Sequence, residues 1–265
     1  MIQSIDRAAR VLLCLQGARH LGLSEIAGEL GLPPSTVHGI VSSLAAHGLV
    51  AREPNGVRYM LGPALVKLSS VYLDTHEVRV RALRWAEELA RRTGLAVRLG
   101  VELFDEVMII HRVTASGGSQ QLPETGMAVP AHACALGKVL LANDPAQAER
   151  VLAAGLRPMT GDTVVDAGAL RAELATVAAA GVASELDEAV IGEAGLAAPV
   201  ADRSGTVVAA LSVVVPSSRW PTPPEVDEAL RETARSLSRE LGAPRWPPVP
   251  PEVPGPPGPP VPSEV

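Results

Sequence analysis

The spacing of apolar positions divides the chain into a helical front, a mixed body and a proline-rich end. Ile5, Ala8, Ala9, Leu12 and Leu13 recur at helical intervals and predict an amphipathic helix over Ser4–Leu15. Ile26, Ala27 and Leu30 mark a second helix over Ser24–Leu30. Ser24 is placed to cap its start, and Gly31 follows where a left-handed C-terminal residue sits. Pro33-Pro34 is tolerated only outside a helix or in its first turn. A third helix therefore begins near Pro34-Ser35-Thr36, runs through Val37, Ile40, Val41 and Leu44, and ends at His47-Gly48. Two β-like runs, Leu49–Arg52 and Val57–Leu61, then flank the turn Glu53-Pro54-Asn55-Gly56, a hairpin signal.

Three short helices followed by a hairpin describe a winged helix-turn-helix. A plain three-helix domain carrying a hairpin has the same order of elements. The tight Gly31-Leu32-Pro33 gap favours the helix-turn-helix, whose second helix enters the major groove.

Beyond Pro63, a helix over Ala64–Thr75 has Leu65, Leu68, Val71 and Tyr72 on one face, and another runs from Val78 to Arg92. Both read as a connector. The body then changes character. Strands are predicted at Ala96–Val101, Val107–His111, Ala197–Ala201 and Thr206–Val215, and helices at Ala133–Leu141, Ala146–Ala154, Ala169–Ala179 and Glu225–Leu241. Mixed elements without strict alternation indicate an α+β sensor-like domain. No internal repeat is evident. From Gly242 onward proline dominates, and such sequence is expected to be a disordered tail.

Composition narrows the function. Six aromatic residues in 265 leave few platforms for stacking bases, which argues against single-strand nucleic acid binding. The net charge of −6 argues against a protein that coats nucleic acid. The first 62 residues, however, carry five arginines against four acidic residues, so the acidity lies in the body. Cys14 and Cys134 are too few for a disulfide framework. Neither a signal peptide nor a run of ~20 apolar residues is read from the sequence, so no membrane association and a cytoplasmic location are expected.

Several stretches together carry a family resemblance. In the front these are Ser4-Ile5-Asp6-Arg7-Ala8, Leu23-Ser24-Glu25-Ile26-Ala27, Gly31-Leu32-Pro33-Pro34-Ser35-Thr36-Val37-His38, His47-Gly48-Leu49-Val50 and Tyr59-Met60-Leu61-Gly62. In the body they are the run from Pro130 to Leu141 and Ala197-Ala198-Pro199-Val200-Ala201-Asp202. In their order and spacing the chain resembles the IclR family of bacterial transcriptional regulators over residues 4 to 242.

The resemblance implies a winged helix-turn-helix over 1–62, a linker helix over 63–77 and a GAF-like effector-binding domain over 78–242, followed by the Pro-rich tail at 243–265. It implies a homodimer or tetramer on a palindromic double-stranded operator, repressing a catabolic operon in response to a small organic or aromatic acid. No cofactor, metal or catalytic role is expected. A sensor acting through protein partners, with weak DNA binding, is the alternative. Gly39 keeps that alternative alive, because the family pattern has Arg at that position.

Ser35, Thr36 and His38 at the helix start, with Arg52 and Arg58 flanking the wing turn, are the candidate DNA contacts. By resemblance, the effector positions map to Val129, Ala135, Leu136, Glu185, Gly195, Ser212 and Val214. Strand alternation places Ser212 and Val214 on one face. The helix opening at Ala133–Gly137 offers free backbone N–H groups to a ligand carboxylate, which is the physical reason to expect an acid. His132 and Cys134 invite a base–nucleophile reading, with the helix start lowering the thiol pKa. Together with His111 they also suggest a metal site. No orienting acid and no close ligand spacing accompany them, so structural roles are expected for all three.

Overall fold

The computed structural model describes residues 2–54, 56–114 and 124–248. The chain divides into two compact units, residues 1–75 and 76–265. Among the described residues, no helix is long and apolar enough to cross a membrane.

The first unit is a winged helix-turn-helix. Helices α1 (Gln3–Ala18), α2 (Leu23–Leu30) and α3 (Pro34–Ala46) precede strands β1 (Val50–Arg52) and β2 (Tyr59–Leu61), and helix α4 (Ala64–Thr75) closes the unit. Val11, Leu15, Ile26, Val37, Val41 and Val50 are buried together as its core. Each such aliphatic side chain contributes about 1.5–3 kcal/mol on burial. Gly31 ends α2 in the left-handed region at φ +64°, as its position predicts, and Pro34 occupies the first turn of α3. Leu21 and Tyr59 exchange backbone hydrogen bonds of 3.0 and 2.7 Å, tying the wing to the segment before α2.

Two local expectations change. The buried face of α1 is Val11, Cys14 and Leu15, whereas Ile5 and Leu13 are exposed. Ser24 does not cap α2. The helix starts at Leu23, and the Glu25 carboxylate accepts the Gly22 N–H at 2.6 Å, satisfying an otherwise orphan donor. Asn55 of the predicted turn lies outside the described residues. No residue of α4 is buried, and its Val66, Leu68 and Val71 are exposed.

The second unit is built on one antiparallel sheet of order β5-β4-β3-β8-β7-β6. Its strands are β3 (Ala96–Leu103), β4 (Glu106–Val113), β5 (Ala128–Pro130), β6 (Ala183–Leu186), β7 (Glu193–Ala201) and β8 (Val207–Pro216). Helix α5 (Glu77–Thr93) packs beside the closing helix α9 (Pro224–Glu240) against β3 and β7. Its buried stripe is Val78, Ala82, Ala86 and Leu89, so α5 belongs to the body rather than to a connector.

The opposite face of the sheet holds α6 (Ala135–Asn143), with α7 (Pro145–Ala154) and α8 (Ala167–Ala180) packed outside it. Every residue from Ala135 to Ala142 is buried, as a helix enclosed between a sheet and other helices requires. Strands β5 and β6 were not predicted, and β7 begins four residues before its predicted start at Ala197.

The start of the proline-rich end is ordered against the body. The Trp246 indole donates to the Pro199 carbonyl at 2.9 Å, and the Arg235 guanidinium lies over its ring at 5.4 Å. Residues 249–265, the rest of the predicted tail, lie outside the described residues.

Candidate functional site

In the first unit, the exposed face of α3 presents Ser35, His38, Gly39, Ser42 and Ser43, with Thr36 partly covered. This is the surface a recognition helix offers to base edges. It carries hydroxyls and one imidazole but no fixed cation. A side chain added at Gly39 would meet nothing within 4 Å, so the missing Arg leaves open space on the helix.

The two wing arginines differ. The Arg52 Nε donates to the Gly56 carbonyl at 3.1 Å and stays on the exposed hairpin. Arg58 is drawn back to the helices, donating to the His20 carbonyl at 3.1 Å and pairing with Glu25 at 3.0 Å. A phosphate would compete with those two partners for Arg58.

In the body, a cavity of about 260 Å³ lies between α6 and the β3, β4 and β8 strands. Cross-strand pairing explains which residues reach it. Arg98 on β3 stands opposite Ser212 on β8 and Arg112 on β4, and Ser212 stands opposite Ala197 on β7. Directly paired residues share a face, so this row and the residues two positions along point toward α6. Gly100 permits the close approach, since a Cβ there would lie 2.5 Å from Val107 and 3.1 Å from Leu136.

Of the sequence-predicted positions, Val129, Leu136, Glu185 and Ser212 line the cavity. Ala135, Gly195 and Val214 adjoin it rather than line it. Gly195 pairs with both Glu185 and Val214, and a Cβ on Gly195 would come within 3.0 Å of the Glu185 carboxyl. The small residue thus makes room for the acid.

The expected open helix start has an acid beside it, because the Glu185 carboxyl lies near enough to the Ala135 N–H to be influenced by it. Burial pushes the Glu185 carboxyl up to about 7, against the lowering influence of that N–H and of Arg98.

Sequence reasoning missed the strongest electrostatic feature. Arg98 lines the cavity with its guanidinium between two carboxylates. Its Nε lies 2.5 Å from Glu124, and it donates to Glu193 at 3.1 Å. Arg112 also reaches Glu124, at 3.3 Å. The side chains of Arg98 and Arg112 keep only 13% and 9% of their exposure. Burial opposes the charge on Arg98, but bonding to Glu124 and the charge of Glu193 outweigh it and hold its pKa above the usual guanidinium value. A charged residue at the centre of the apolar run Ala96–Val101 was the available signal. Its partners come from distant parts of the chain.

A second buried cluster braces α6. Lys138, wholly buried, donates to Glu173 on α8 and to Glu188 in the β6–β7 turn, each at 2.6 Å.

The nucleophile reading of Cys134 fails on environment. Although Cys134 precedes α6, burial pushes its thiol up to about 12, opposite to the lowering expected from the helix start. The His132 Nε2 is engaged with the Arg157 carbonyl at 3.0 Å. Among the described residues, no three His, Cys, Asp or Glu side chains are grouped to hold a metal.

Comparison with known proteins agrees with this architecture. Residues 4–54 match the IclR helix-turn-helix domain, and residues 70–239 match the bacterial transcriptional regulator IclR C-terminal domain. The glycerol operon regulatory protein of Streptomyces griseus is 44% identical over 250 residues, 92% of this chain and 98% of that one. A crystal structure of an IclR transcriptional regulator from Silicibacter sp. TM1040 superposes with a TM-score of 0.80 at 26% identity, covering 93% of this chain and 99% of that one. An IclR homologue from Microbacterium hydrocarbonoxydans, solved with 4-hydroxybenzoate, superposes with a TM-score of 0.73 at 28% identity, covering 90% and 98%. The chain belongs to the IclR family of DNA-binding transcription regulators.

Proposed function

We propose that this protein is an effector-controlled repressor of a catabolic operon, with no catalytic activity of its own. Its effector is a small organic acid or related anion, held in the cavity between α6 and the sheet. The observation that carries the effector reading is the cavity itself: it is preformed, mainly apolar, and includes a few charged groups in its lining, as small-molecule sites do. The similarity to glycerol operon regulators supports a small carbon source as the controlled pathway.

The repressor acts in the cytoplasm as a homodimer or tetramer on a palindromic operator, through Ser35, Thr36, His38 and Arg52, with Arg58 in support. Exposed Val66, Leu68 and Val71 on α4, and Ile5 and Leu13 on α1, supply apolar surface for pairing of heads. Paired heads must place their reading helices about 34 Å apart, or a multiple of that, to meet successive major grooves. The effector then acts by binding one head spacing better than another. Gly39 favours one other reading, a sensor that works through a protein partner with weak operator binding.

Electrophoretic mobility shift on the gene's own upstream region tests the proposal. A specific shift should form and should be released by glycerol 3-phosphate, 4-hydroxybenzoate or another small anion. Binding that an equal mass of unrelated DNA abolishes would favour the partner-dependent sensor.

A further inference from the structure

We infer that Arg98 is the counter-charge for the effector's anionic group, acting beside Ser212, an effector position already implied by the family resemblance, and that this group enters by displacing Glu193 from Arg98. The inference rests on the reading of the cavity as the effector site. It assigns the recognition to residues on β3 and β8 rather than to the start of α6.

Three observations carry it. The first is that the α6 N-terminus already has an acid beside it, because Glu185 lines the cavity together with Cys134 and Leu136 at the start of that helix. A ligand anion placed there would lie against that carboxyl group.

The second is Ser212. Its side chain is 2% exposed, lines the cavity, and its Oγ has no hydrogen-bond partner among the described residues. A buried hydroxyl without a partner costs roughly 1–3 kcal/mol, a cost that a bound acceptor removes. Ser212 stands directly opposite Arg98 across the β3–β8 pairing. A guanidinium and a hydroxyl side by side on one sheet face can serve two oxygens of one carboxylate or phosphate.

The third is the unequal hold on the two internal carboxylates. Glu124 bonds Arg98 at 2.5 and 2.9 Å, is within 3.3 Å of Arg112, and has 11% of its side chain exposed. Among the described residues, the Glu193 side chain bonds Arg98 alone, at 3.1 to 3.3 Å, and 26% of it is exposed. Glu193 is therefore the weaker partner and the one with water to return to. An incoming anion that replaces it keeps the buried guanidinium paired. A neutral ligand that replaced it would leave part of the charge on Arg98 uncompensated, which a buried site does not tolerate.

The exchange has a structural consequence. Glu193 opens β7 directly after the turn whose Ala189 and Val190 wall the cavity, and its N–H donates to the Val190 carbonyl at 3.1 Å. Release of Glu193 from Arg98 thus frees one end of that wall. The ligand class follows: a small organic carboxylate or phosphate monoester, whose uncharged part rests against Val107, Ile109 and Leu136.

Isothermal titration calorimetry of the full-length protein tests this, with 4-hydroxybenzoate as carboxylate probe, glycerol 3-phosphate as phosphate probe and glycerol as neutral control. At least one anion should bind, and the anion that binds identifies the head group. Glu193→Gln should tighten that anion several-fold by removing its competitor. Arg98→Gln should weaken it about ten- to a hundred-fold, as expected for loss of charge-assisted hydrogen bonds.

Ser212→Ala removes one hydroxyl without disturbing the ion cluster and should weaken anion binding about fivefold, which keeps the test valid if Arg98→Gln fails to fold. Leu136→Trp, which fills the cavity, should abolish binding. Unchanged or weaker anion binding in Glu193→Gln overturns the exchange. Binding of glycerol alone, lost in Leu136→Trp, overturns the anion receptor but leaves the cavity as effector site. Anion binding that survives Leu136→Trp, or no binding of any probe, overturns the cavity reading as well.

Discussion

The Glu185 carboxyl makes the stability of the body depend on pH in a direction opposite to most acids. Its pKa is pushed up by burial from an ordinary 4.5 to about 7. The folded body therefore holds a proton that the unfolded chain has already released. Stability is greatest below pH 4.5 as far as this group is concerned, falls as pH rises from 4.5 to 7, and levels off above. A difference of about 2.5 pH units at 1.36 kcal/mol each amounts to roughly 3 kcal/mol across the whole window, of which about 2–3 kcal/mol falls between pH 5 and 8.

Glu185→Gln removes the titration while keeping the size and an amide oxygen beside the Ala135 N–H. The variant should thus gain about 2–3 kcal/mol on the wild type between pH 5 and pH 8, whatever the offset at pH 5. The assay is urea unfolding followed by tryptophan fluorescence at fixed protein concentration. Trp85, Trp220 and Trp246 all lie in the second unit, so the signal reports the body without the helix-turn-helix. Parallel pH profiles for the two proteins would refute the argument, because they would show that Glu185 is ionised in the folded state at pH 5.

Other substitutions test other parts of the structure. Gly137→Ala should destabilise the body by at least about 2 kcal/mol in the same urea assay, since a Cβ would lie 2.1 Å from the Ala131 carbonyl oxygen and backbone must move. Lys138→Met should cost about 3–5 kcal/mol, because it leaves Glu188 and Glu173 as unpaired carboxylates around a buried site. Gly39→Arg has open space to occupy and should tighten operator binding in a mobility shift, with a salt dependence steeper by about one unit if the new contact is to phosphate. Arg52→Ala should weaken DNA binding without regard to sequence, and more than Arg58→Ala, whose guanidinium is already held by Glu25 and the His20 carbonyl.

The head was legible because its signals are local. Proline at the start of α3, glycine after α2 and the i, i+3, i+4, i+7 spacing of Val37, Ile40, Val41 and Leu44 each act over one or two turns. The structure buries Val37, Val41 and Leu44 as that spacing requires. The face of α1 was misjudged for a physical reason. Apolar residues surround most of that helix, so the choice between Leu13 and Leu15 falls to tertiary packing. The short edge strands escaped prediction because β5 has three residues ending in proline and β6 has four, lengths at which periodicity carries little information.

The cavity shows where sequence stops informing. Strand alternation puts Ser212 on one face of β8, but the residue that gives it meaning is Arg98, 114 positions away, and only the β3–β8 register brings the two side by side. Alternation says nothing of that register, nor of the order that sets β3 between β4 and β8. The acid beside the start of α6 was hidden for the same reason. A helix N-terminus favours an acid, and the acid beside Ala135 is Glu185, delivered by an edge strand too short to predict. With Glu185 beside that helix start, the proposed anionic ligand takes its counter-charge elsewhere in the cavity. Arg98 is the cation lining it, and the more loosely held of its two carboxylate partners begins the strand that follows the cavity wall. The family's architecture was visible from patterns of a few residues each, whereas the ion cluster proposed to select the ligand is assembled from β3, β4 and β7 together with Glu124.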